Sequence, residues 1–156
     1  MDNNNISNSR QVICTAIVFE FFGTFFLACN LSAAGVWSKQ NGGPLHFDAI
    51  AAFFTLWYLV IVTGRVSYAQ FNPTLTLVWL LRSAKGHFTR VRFGLPYLFA
   101  EVSGAILGAL VVWWIKGQVN YPALPSDSNV YKACVYEIIG SFALIAAILM
   151  ISEKAT

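Results

Sequence analysis

The chain has 156 residues, 57% of them hydrophobic, 15% aromatic and only 11% charged, with a formal net charge of +3. A soluble domain carries charge at about a quarter of its positions, so this balance excludes an ordinary water-soluble domain and points to lipid as the solvent. Three separated cysteines (Cys14, Cys29, Cys134) and two histidines (His46, His87) offer no disulfide framework, metal-ligand spacing or catalytic dyad, and no phosphate loop or nucleophile pattern argues for an enzyme or a cofactor.

In chain order, a polar tail over 1–11 leads into a first apolar run from Val12 to Trp37. This run is too long for the apolar core of a signal peptide and holds Glu20, so the small-residue step Ser32-Ala33-Ala34 is not read as a cleavage site. Further runs follow at Phe47 to Gly64, Phe93 to Ile115 and Tyr131 to Ile151, with a short tail over 152–156. Each is near the roughly 20 residues that a helix needs to cross the hydrocarbon core. The expected fold class is an all-α membrane protein with four transmembrane helices, at about 12–37, 47–64, 93–115 and 131–151.

Between the second and third spans lies Phe71 to Leu81, an apolar stretch that as a helix extends about 16 Å, half of a roughly 30 Å core. It is too short to span. Asn72 is a favoured N-cap and Pro73 sits at a favoured first helical position, so a re-entrant half-helix is expected over 72–82. Irregular backbone at that depth is tolerated only where protein buries it or where it lines a watery cavity. A bare Asn-Pro-Thr also reads simply as a helix cap; the short apolar segment around it is what favours the re-entrant reading.

Charge placement bears on this topology, because a re-entrant segment returns to the side it left. With the N-terminus on the cytoplasmic side, Arg10, Arg65, Arg82, Lys85, Arg90, Arg92 and Lys154 fall inside, while Lys39, Lys116 and Lys132 fall outside. Seven to three satisfies the positive-inside rule, and so basic a loop with few aromatics is a cytoplasmic membrane flank rather than a nucleic-acid surface. Trp37, Trp113, Trp114, Tyr121 and Tyr131 stand near the outer ends of spans, as an aromatic belt would.

The first span also contains an internal repeat with the fourth. Phe19-Glu20-Phe21-Phe22-Gly23-Thr24-Phe25 is echoed by Tyr136-Glu137-Ile138-Ile139-Gly140-Ser141-Phe142, both reading aromatic-Glu-x-x-Gly-(Thr/Ser)-Phe. The copies are three spans apart, so the second enters the bilayer from the opposite face, the signature of an inverted-topology repeat.

These residues carry a resemblance. Val66-Ser67-Tyr68-Ala69-Gln70-Phe71-Asn72-Pro73-Thr74-Leu75-Thr76-Leu77 is similar to the Ser-Gly-Ala-His-x-Asn-Pro-Ala-Val-Thr-Leu loop of the aquaporin, or major intrinsic protein, family. Ala100-Glu101-Val102-Ser103-Gly104-Ala105 resembles the small-residue patch of the family's third span. With the paired Glu-x-x-Gly motifs, the match covers most of residues 12–151 and resembles the first half of the family fold, in a divergent Asn-Pro-Thr variant.

The resemblance implies an aquaporin-like half bundle and, by ancestry, a channel for water or small neutral solutes, with Asn72, Pro73 and Thr74 as pore or water contacts. It implies that Glu20 and Glu137 brace re-entrant loops by accepting backbone hydrogen bonds, Glu20 the loop before Asn72. Phe53 falls near the aromatic of the family's constriction, with Phe54 competing and apolar packing as the alternative. Gly104 and Gly108 give the third span a small face for helix packing. Glu101 stands where the family more often has Gln, and both a protonated stand-in and a partner for an arginine of the basic loop are open.

Tyr68 departs from the family's Gly, Gln70 from its His and Thr74 from its Ala, and a tyrosine in the loop throat narrows or plugs it. Asn72 follows Glu20 by 52 residues, whereas 19 residues follow Glu137, so a second Asn-Pro-Ala is not reached. Three readings are open: a partial record of a full channel, half-channels paired as a homo-oligomer or with other membrane subunits that supply the missing half, and a non-conducting structural subunit of a larger membrane complex. The lipid bilayer is the partner common to all three.

Overall fold

In the computed structural model the described residues are 3–44, 47–81, 87–120 and 129–154. They form five helices and no strand: α1 (Asn3–Asn41), α2 (Phe47–Ser67), α3 (Pro73–Leu81), α4 (His87–Lys116) and α5 (Val130–Lys154). Among the described residues, four stretches are long and apolar enough to cross a membrane: Gln11–Asn41, Phe47–Ser67, Gly94–Lys116 and Val130–Met150. The chain is an all-α, multi-pass membrane protein. Large side chains such as Phe22, Trp57, Ile61, Phe99 and Trp114 are exposed on the helices, an arrangement that lipid tolerates and water does not.

The backbone of α1 is helical from Asn3, through most of the stretch expected as a polar tail. Once a helix is nucleated each further residue adds a hydrogen bond, so polar residues continue an apolar span without a break. The expected half-helix appears as α3, nine residues long and bounded by Pro73 and Leu81. Arg82, Lys85, His46 and Tyr121 lie outside the described residues, and of Arg10, Arg90, Arg92 and Lys154 only the helical backbone is described.

The chain divides into two compact units, residues 1–120 and 121–156. In the first, α1 packs along α4 and against α2, and α3 packs on α4. The α1–α4 seam is tight because glycines line it. A Cβ built on Gly104 would lie 2.4 Å from the Phe21 carbonyl oxygen, and one on Gly108 would lie 2.5 Å from that of Phe25. The Cys29 thiol, on the same face of α1, donates to the Gly108 carbonyl at 3.4 Å. On the other side of α1, Leu59 of α2 packs with Ala69 and Phe71 of the turn before α3, with Leu27 and Leu56 against them. The Phe71 ring sits on the bare Cα of Gly23, where a Cβ would meet it at 1.9 Å. The second unit, described by itself, consists of α5.

Candidate functional site

The turn between α2 and α3 is shaped against the intrinsic preference of its residues. Tyr68, Ala69 and Phe71 have φ of 69°, 48° and 44°, in the left-handed region that non-glycine residues adopt at a cost of about 1–2 kcal/mol each. Helix geometry pairs the Tyr68 N–H with the Gly64 carbonyl at 3.1 Å, and side chains take the amides that follow. Ser67 Oγ accepts from the Ala69 N–H at 3.2 Å. Glu20, fully buried on α1, takes one amide on each carboxylate oxygen: Gln70 N–H donates to Oε1 at 3.1 Å and Phe71 N–H to Oε2 at 2.8 Å. A hydrogen bond contributes about 0.5–1.5 kcal/mol net, and leaving a buried amide unmet costs about 1–3 kcal/mol, so these two offset part of the strain in the turn.

The next amide is held from the opposite side. Asn72 N–H donates to Oε1 of Glu101, fully buried on α4, at 3.3 Å. Asn72 then caps α3: its Oδ1 accepts from the Thr74 N–H at 2.9 Å, and its carbonyl accepts the first helical bond from Thr76 N–H at 3.1 Å. With Oδ1 committed to the cap, the Nδ2 hydrogens are the donors Asn72 has left. Pro73 at the first helical position needs no amide partner, and Thr74 is exposed.

Thr76 ties the two sides together. Its hydroxyl lies 2.8 Å from Glu101 Oε1 and within hydrogen-bond distance of the Gln70 side-chain amide. A hydroxyl has one proton and here faces two acceptor oxygens, Gln70 Oε1 and Glu101 Oε1, so the network is completed either by a Gln70 amide turned to present its NH₂ or by a proton on Glu101. Glu101 Oε2 is buried without a partner. Replacing Thr76 by Val, similar in shape, is expected to lower stability by about 1–3 kcal/mol, because Glu101 and Gln70 both lose their hydroxyl partner. Thr76→Ser is expected to recover most of the loss, as read by thermal unfolding of the purified protein in detergent.

Asn72, Pro73, Thr74 and Glu20 thus meet at one place. Gly104 and Gly108 lie on α4 beyond Glu101, along the seam that holds α4 to α1. Phe53 is exposed on α2, edge-on to Phe54 with ring centroids 5.3 Å apart. Glu137 is exposed on α5, in the second unit. Ser67 and Thr76, quoted in the loop motif without a role, join the bracing network. The sequence signal for Thr76 was its place four residues after Asn72, one helical turn into α3. Among the described residues no group of His, Cys, Asp or Glu is arranged to hold a metal.

A half-helix too short to span, capped by an Asn-Pro pair and braced by buried glutamates from two crossing helices, defines an aquaporin-like membrane protein. The Major intrinsic protein family model matches residues 6–156, and the chain belongs to that family. It is 28% identical over 152 residues to the probable aquaporin NIP4-2 of Arabidopsis thaliana, covering 92% of this chain and 51% of the relative. It is 33% identical over 138 residues to aquaporin NIP1-1 of Zea mays, covering 85% and 47%. It is also 33% identical over 131 residues to the lens fiber major intrinsic protein of Lithobates pipiens, covering 79% and 47%. The chain spans about half the length of these curated relatives. No solved structure is a significant match. The family is one of membrane channels, not enzymes.

Proposed function

We propose that this chain is one pore half of a channel for water or small neutral solutes, with its N-terminus on the cytoplasmic side. The observation that carries the reading is the orientation of Asn72. Its Oδ1 is used by the Thr74 amide, which leaves Nδ2 to donate to a solute oxygen at the positive end of α3. Such an end also opposes cations. A single half-helix supplies one side of a pore. The chain covers about half of its relatives, so the opposing side comes from another stretch of polypeptide, a second copy or another membrane subunit.

The experiment is stopped-flow water permeability of vesicles carrying the purified chain, run beside the mass of its native complex. Permeability above that of empty vesicles is expected, falling to the empty-vesicle rate in Asn72→Asp, which replaces the donor by an acceptor. A second reading, a non-conducting subunit of a larger membrane complex, is favoured by Tyr68. Its bulky ring is 75% exposed on the loop where the family's usual residue is glycine. Permeability no greater than that of empty vesicles, together with a large hetero-complex, would establish that second reading and overturn the first.

A further inference from the structure

Beside the braced turn, within the first unit, residues of α1, the end of α2, α3 and α4 line a part-open pocket of about 260 Å³. Its walls are mostly apolar, with Ile13, Ala16, Tyr68 and Trp79 among the lining residues. A 150 Å³ apolar cavity stays dry and admits benzene, so this volume has room for a substituted benzene ring. The Tyr68 and Trp79 rings stand 6.0 Å apart and 34° from parallel, and offer an aromatic guest the contacts that aromatic pairs favour.

Besides the hydroxyl-bearing Tyr68 and Tyr97, the lining holds the polar Gln70 and Thr76, hydrogen-bonded to each other. The Gln70 carbonyl oxygen lies against the Thr76 hydroxyl and, having two lone pairs, keeps one acceptor position on a residue that lines the pocket. A guest therefore gains most if it carries a single hydroxyl donor. It gains nothing from charge, since an ion among membrane-spanning helices is costly unless partnered, and Glu20 already accepts two amides.

We propose that this cavity is a binding site for a small neutral aromatic alcohol of about phenol size, its ring against Tyr68 and Trp79 and its hydroxyl donating to Gln70. Tyr68 and Gln70 flank Ala69 in the strained turn that presents Asn72, so an occupant contacts that turn directly. The site is independent of whether the chain conducts, and its test reads binding rather than flux.

The test is fluorine NMR of 4-fluorophenol and fluorobenzene with the chain in lipid nanodiscs, against empty nanodiscs that report partition into lipid. Saturable 4-fluorophenol binding above the linear partition is expected, with fluorobenzene about fivefold weaker for want of one hydrogen bond. Gln70→Leu is expected to weaken 4-fluorophenol by a similar factor and leave fluorobenzene unchanged. Ile13→Trp, which fills the cavity, is expected to abolish both. Linear uptake equal to that of empty discs overturns the proposal, as does saturable binding that Gln70→Leu leaves unchanged or reduces equally for both guests. Should Ile13→Trp lose its helical circular dichroism, the Gln70→Leu comparison decides alone.

Discussion

Replacing Glu20 by Ala is expected to destabilise the protein by about 3–5 kcal/mol, more than any other single change at the half-helix mouth. Two amides, that of Gln70 part-buried and that of Phe71 buried, lose their acceptors at once. The loss also removes what offsets the left-handed conformations of Tyr68, Ala69 and Phe71, so the turn relaxes and Phe71 leaves its seat on Gly23. Glu20→Gln is expected to cost about half as much. It keeps one acceptor oxygen but sets an NH₂ group against the second amide, and two donors facing each other do not bond. The checks are thermal unfolding in detergent and hydrogen exchange at the Gln70 and Phe71 amides, which should quicken first. A Glu20→Ala protein within 1 kcal/mol of the parent, with exchange at those amides unchanged, would show that the turn is held by something else.

The second large effect is expected at the seam that positions both glutamates. Gly104 follows Glu101 by one helical turn, and its Cα rests on the backbone of Phe21 and Phe25, which flank the turn of α1 just past Glu20. Gly104→Val places a branched side chain where even a Cβ would lie 2.4 Å from the Phe21 carbonyl and 3.2 Å from the Phe25 nitrogen. The obstacle is helix backbone, which cannot swing aside as a side chain would, so α1 and α4 must separate. A destabilisation of about 3 kcal/mol is expected, at the upper end of ordinary overpacking. Separation also widens the gap between the two carboxylates, so the Asn72 amide should lose protection in hydrogen exchange along with those of Gln70 and Phe71. Were only the α1–α4 seam to loosen while the three amides stayed protected, the turn would be shown to hold its shape independently of helix spacing.

Much of this was legible in the residues. The spans followed from apolar runs of membrane length, and the half-helix from a run too short to cross with Asn72-Pro73 at its start. Gly104 and Gly108 were legible as a small face because their spacing of four puts them on one side of a helix. Other features were not. Glu101 had two open roles in the sequence, a protonated stand-in and an arginine partner, because a carboxyl on one helix gives no local sign of which loop folds against it; in the structure its Oε1 lies within hydrogen-bond distance of the Asn72 amide and the Thr76 hydroxyl. The three positive φ angles fall on Tyr, Ala and Phe, residues whose local preference argues against that conformation. The cavity beside Tyr68 and Trp79 comes from residues 12–16, 66–80 and 94–97, too far apart in the chain for any motif to join them.

By itself, then, the sequence determined the solvent, the number of membrane-crossing helices and the point where the chain turns back into the bilayer, since hydropathy, length and capping are local properties of the chain. Only the tertiary structure decided which backbone groups Glu20 and Glu101 hold, how Asn72 is oriented and what cavity lies behind the turn. Those are matters of unpaired amides finding acceptors on other helices, and they are settled only when α1 and α4 close on each other at their glycines.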